Sequence, residues 1–186
     1  MSDRTDALFA PLSDSDWPGG LEDLRDGFAG KLNVYRAMAH HPGLLRAWSE
    51  LREHIVNQTT LGPERAEVVI LRAAHRLQAP YEWSQHILRA RRVGLSDARI
   101  SALASSLEQV DPQDRLLAEA VDCLMANNRL PGSLVETLAE EVGREGVLDL
   151  IATVGFYTTL GYLLNTAQTP LDEDAEAALK ARPLQT

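Results

Sequence analysis

Sulfur chemistry is the first thing the chain can do little of. Cys123 is its single cysteine, so an internal disulfide, a CxxC redox pair and a thiolate zinc cage are all excluded. Positive charge is also in short supply, and the formal net charge is −9 at pH 7. That balance argues against nucleic acid, since phosphate binding needs a basic face, and against attraction to an anionic membrane surface. A small anionic ligand stays open, because one local arginine outweighs a distant field. The opening MSDRTDALFAPL lacks the basic and apolar regions of a signal peptide, so a cytoplasmic protein is expected. Strand-like alternation and repeats at solenoid spacing are missing as well.

What is present is helical patterning. Hydrophobic content of 45% and charged content of 24% over 186 residues suit one globular core. Residues 1–20, acidic and broken by Pro11, Pro18 and Gly19-Gly20, read as a loosely held arm. Residues 21–168 read as the helical domain and 169–186 as an acidic tail helix. Within the domain, LNVYRAMAH becomes helical and stops before Pro42, placing His40 and His41 where a helix C-terminus favours histidine. Leu44 to about Asn57 is amphipathic. Pro63 opens a helix through Val68-Val69-Ile70-Leu71, apolar on all sides and therefore central. Pro80 starts the next, ended by Gly94. Further helices follow from Ser96, Asp111-Pro112 and Ser133 to Val142. The apolar run from Gly146 to Asn165 reads as a buried helix rather than a membrane span, given Asp149, its threonines and its glycines. Gly155 and Gly161 would admit another helix closely, within or between subunits. The fold class is all-α, a single-domain helical bundle.

The stretch from Glu64 to Gly94 carries acids and a histidine among apolar neighbours. Glu82 and His86 are four apart and share a helix face; a carboxylate beside an imidazole makes a proton-transfer pair. Such pairs also occur on ordinary helix surfaces, and Glu82 suits a helix N-terminus. Glu67 lies on the preceding helix. In a straight hairpin it sits ~19 Å before Pro80 and His86 ~9 Å after it, so contact needs steep crossing, a helix end near Leu77, or a partner subunit. His75 reads as a core or interface histidine, and Cys123 as a small buried hydrophobe.

The residues RAEVVILRAAHRLQAPYEWSQHILRARRVGLSDARISAL resemble the carboxymuconolactone decarboxylase family, related to alkylhydroperoxidase D. NVYRAMAHHPGLLRAW, DRLLAEAV and VLDLIATVG extend the resemblance over about 32–165. It implies an all-helical fold assembling into trimers or hexamers. In the peroxidase branch a glutamate precedes a CxxC pair and a histidine four residues on. His86 aligns with that histidine, Glu82 with the second cysteine, Ala79 with the first, and Glu67 with the upstream glutamate. Without its sulfurs the chain cannot run a disulfide-cycling peroxidase.

The cysteine-free pattern is similar to the decarboxylase branch, whose type reaction removes CO2 from 4-carboxymuconolactone without a cofactor. The resemblance therefore implies a carboxy-lyase with no cofactor, His86 as proton donor, Glu82 orienting it and Glu67 completing a relay. Tyr81 could offer a hydroxyl, with Trp83 beside it. A dianionic substrate near two glutamates needs an arginine, for which Arg72 or Arg65 are the candidates. Two other readings compete. Two carboxylates and a histidine resemble a hard, partly open metal-ligand set, although one histidine is poor for selectivity. A non-catalytic small-molecule binding protein would use the same acids for folding.

Overall fold

The computed structural model describes residues 8–184. Among them are nine α-helices and no strand. The helices are α1 (Glu22–Asp26), α2 (Asn33–Met38), α3 (Pro42–Glu53), α4 (Pro63–Arg76), α5 (Pro80–Arg92), α6 (Asp97–Ala102), α7 (Pro112–Asn127), α8 (Gly132–Ala167) and α9 (Glu173–Ala181).

Local chemistry sets most of the starts. Proline opens α3, α4, α5 and α7, where its missing N–H costs nothing and its φ is already helical. Ser96 and Asp111 accept from the backbone N–H groups of Arg99 and Gln113, capping α6 and α7. His41 departs from expectation. It begins α3 rather than ending α2: its Nδ1 accepts from the Leu44 N–H at 3.1 Å, while α2 already stops at Met38. The amphipathic α3 ends at Glu53 and continues as one π-turn over His54–Gln58.

α4 is the centre. Every residue from Ala66 to Ala74 on it is buried, which is what an all-round apolar sequence requires. Val68, Val69 and Leu71 enter one hydrophobic cluster with α5, α6, α7 and the first half of α8. Ile70 enters a second, with α2, α3 and the later half of α8. Burying a side chain such as Leu71, which is fully buried, stabilises by roughly 1.5–3 kcal/mol.

α8 is long and apolar enough to cross a membrane, yet 56% of its most apolar window is buried in the protein; it is the core helix that joins the two clusters. It breaks at Gly143 (φ 75°), a left-handed conformation that glycine adopts without a Cβ penalty. Gly161 allows the α4–α5 loop to sit against α8, since a Cβ there would lie 3.0 Å from Leu77 Cδ1. Gly155 faces open space instead.

The arm is held more firmly than its composition suggests. Arg36 donates to Leu12 O and to Asp14, and the buried Trp17 donates from Nε1 to Leu21 O at 2.9 Å. Residues 1–7 of the expected arm lie outside the described residues. The tail helix starts at Glu173, later than expected, and its approach is fixed by Asp172. That buried carboxylate accepts from Tyr81 Oη (2.5 Å), Gln85 Nε2 (2.6 Å) and Asn33 N (2.8 Å), so α9 is tied across α5.

Candidate active site

α4 ends at Arg76, and Gln78 takes a left-handed turn (φ 51°) before Pro80 starts α5. This early end shortens the path from Glu67 to the hairpin to ~15 Å, against ~9 Å for His86. An inclined crossing makes up the rest. Within one chain, His86 Nδ1 lies 2.6 Å from Glu67 Oε2. On its other side, His86 Nε2 lies 3.4 Å from Glu82 Oε2. All three residues are buried, and the edge of Tyr157 meets the imidazole at 5.0 Å between centroids.

The histidine therefore bridges two carboxylates through its two nitrogens. Burial pulls its pKa down, but the charge and hydrogen bond of Glu67, followed by those of Glu82, outweigh it and leave the pKa raised. The short bond makes Glu67 the residue that orients the ring, the role expected of Glu82. Glu82 and His86 line a cavity of about 200 Å³, together with Tyr35, Tyr81, Gln85, Arg89, Arg92 and Tyr157, roofed by Asp174, Ala175 and Ala178 of α9. Glu67 stands behind the wall. Tyr35 is pushed up to about 12, first by burial and then by the Glu82 charge. Burial, then Glu82, also raises Tyr157 well above its ordinary value. Both tyrosines thus keep their protons at neutral pH and can act as hydroxyl donors.

The expected substrate contacts divide. Tyr81 lines the cavity, with its hydroxyl committed to Asp172. Trp83 points elsewhere: with His75 it lines a separate open groove of about 1020 Å³. Arg72 is also placed elsewhere. Buried beneath α7, it grips Asp122 with two nitrogens (2.9 and 2.6 Å) and donates to Leu103 O and Ser105 O. Arg65 pairs with Glu141. The cations that do line the cavity are Arg89 and Arg92. The last-turn arginines of α5 read from sequence as partners of the helix dipole, and only the spacing of Arg89, three after His86 and seven after Glu82, signals the shared face.

Metal ligation is not favoured by this geometry, because each imidazole nitrogen addresses a different carboxylate. Among the described residues no group of three or more His, Cys, Asp or Glu side chains is arranged to hold an ion.

The all-helical fold is that of alkylhydroperoxidase D-like structures. Solved structures share it. The debrominase Bmp8, as a cysteine-to-alanine variant in complex with 2,3,4-tribromopyrrole, superposes with a TM-score of 0.72 at 19% identity, covering 94% of this chain and 96% of that one. A peroxidase-related protein with an alkylhydroperoxidase core from Ralstonia eutropha JMP134 gives 0.73 at 17% identity over 90% and 94%. One from Silicibacter sp. TM1040 gives 0.73 at 14% identity over the same shares. The model of the carboxymuconolactone decarboxylase family matches residues 42–120. That segment is similar to the carboxymuconolactone decarboxylase family, and the fold is the one seen in the alkylhydroperoxidase core structure. No curated protein matches its sequence.

Proposed function

We propose that the chain is a carboxymuconolactone decarboxylase-like enzyme without thiol chemistry. It catalyses cofactor-free decarboxylation or proton transfer on a small lactone or unsaturated carboxylic acid. The observation that carries this reading is the row Glu67–His86–Glu82, whose inner end is buried and whose outer end opens on a small cavity. With Nδ1–H held by Glu67, the cavity-side nitrogen of His86 is Nε2, only loosely paired with Glu82, and its proton is the one available to a substrate carbon. When a C–CO2⁻ or C–H bond next to a conjugated carbonyl breaks, its electron pair enters the alkene and carbonyl as a dienolate. CO2 leaves in the first case; in the second the proton passes to a base, for which Glu82 is placed. His86 then protonates the distal carbon; the ring regains its proton from Glu82 where Glu82 has taken one from C–H, and from water where CO2 has left. Tyr157 and Tyr35, which stay protonated, can donate to the enolate oxygen.

A cavity of about 200 Å³, the volume of roughly seven liquid waters, suits a substrate of that size. The debrominase of similar fold, crystallised with a small heterocycle, supports a small-molecule site. The same reading takes the enzyme as cytoplasmic and as a homo-oligomer. The test is deuterium incorporation from D2O into an unsaturated γ-lactone carboxylic acid, followed by NMR. The purified protein exchanges the conjugated position, and His86→Ala loses exchange while keeping its helical circular dichroism. Equal exchange in His86→Ala overturns the proposal.

A further inference from the structure

Arginines that leave the surface of this protein do so in company. Arg25, Arg36, Arg52, Arg72, Arg91 and Arg99, all buried or half-buried, each stand in an ion pair with an aspartate or glutamate. Arg89 is the exception. It is half-buried in the cavity wall, yet among the described residues no carboxylate lies within ion-pair distance and no hydrogen bond holds its guanidinium. A partly desolvated charge without a counter-charge is unfavourable. The carboxylates nearest in the lining are otherwise placed: Glu82 faces His86, and Asp174 sits exposed on the roof helix.

We infer that Arg89 is the carboxylate anchor of the cavity, and that the substrate is a small acid whose anchored carboxylate survives the reaction. The inference rests on the proton-transfer reading of the same cavity for its chemical consequence, although the anchoring itself does not. Glu82, His86 and Arg89 follow one face of α5, with Arg89 about 4.5 Å further along the axis than His86. A planar acid held at Arg89 by paired N–H donors extends its unsaturated carbons toward Nε2 of His86. Pairing with a guanidinium stabilises the carboxylate anion and opposes the flow of its electrons into the conjugated system. The group on Arg89 is therefore not one that leaves as CO2. If CO2 is lost, it comes from a second carboxylate set toward Glu82, where like charge destabilises the anion relative to the neutral CO2 it becomes. Arg92, exposed at the mouth one turn further on, draws the anion in without fixing it.

Calorimetric titration with furan-2-carboxylate and with its methyl ester, a matched pair differing in charge, tests the anchor. The wild-type protein binds the acid roughly tenfold or more tightly than the ester. Arg89→Gln removes that preference, Arg89→Lys keeps part of it, and ester binding changes little. A preference unchanged in Arg89→Gln overturns the inference, as does the absence of binding of either probe at millimolar concentration. If Arg89→Gln melts below the assay temperature, Arg89→Lys against wild type decides by the same ratio. His86→Ala separates the two proposals. Retained preference for the acid with no deuterium exchange in any variant, wild type included, leaves the anchor standing and removes the proton-transfer reading.

Discussion

The contact between Glu67 and His86 fixes a protonation state as well as a geometry. Because the folded pKa of His86 is raised, its protonation stabilises the fold fully below the unfolded value near 6.5 and progressively less as pH rises through the folded value. Glu67→Gln should lower the His86 pKa relative to wild type in an NMR titration of the imidazole, and weaken the alkaline loss of stability; an unchanged titration would show that Glu67 does not hold the ring. Arg72 makes the opposite case. Removing it leaves Asp122 and two backbone carbonyls without their donor, so Arg72→Ala should cost about 3–5 kcal/mol in urea unfolding while Arg72→Lys, if folded, binds furan-2-carboxylate as wild type does. The sequence suggested Arg72 for the substrate because it counts cations without showing what lies 50 residues away. The site acids were legible because Glu82 and His86 need only helical spacing. Arg89 was not, since the sequence cannot show which cation is left without a partner.

At the scale of elements, prolines and short polar caps announced where α4, α5, α6 and α7 begin, because those signals act within a few residues; at α3 the same Pro42 was read only as the stop of the helix before it. The turns at Gln78, Asn128 and Gln168 were hidden: each is left-handed without glycine, imposed by the packing around it. The anchoring of α9 was hidden too, since Asp172 bonds Asn33 across 139 residues. Asp172→Ala removes the acceptor shared by Tyr81, Gln85 and Asn33. It should cost about 1–3 kcal/mol and speed amide exchange over 173–181, read by mass spectrometry, with the α4 amides still protected. Protection of α9 equal to wild type would mean that the helix is held by its apolar face alone.

For the molecule as a whole, one surface is out of keeping with a lone chain. Leu148, Ile151, Gly155, Thr159 and Tyr162 are all exposed along a single face of α8, repeating every three or four residues as a buried stripe does. A contiguous apolar face of this kind marks an association surface, and Gly155, open where Gly161 is covered, would let another backbone come close. The homo-oligomer proposed above uses this face. Light scattering should find a multimer, and Leu148→Asp with Tyr162→Asp should reduce it to monomer; a monomeric wild type would remove the proposal.

The roof of the cavity has a consequence in time. α9 follows in sequence every element that it covers, and chains fold as they are synthesised, N-terminal parts first. The Glu–His–Glu row is thus synthesised before its roof, and the cavity is covered only once α9 has emerged and Asp172 has bonded Tyr81. Until that moment nascent chains carry Glu67, Glu82 and His86 without the helix that covers them.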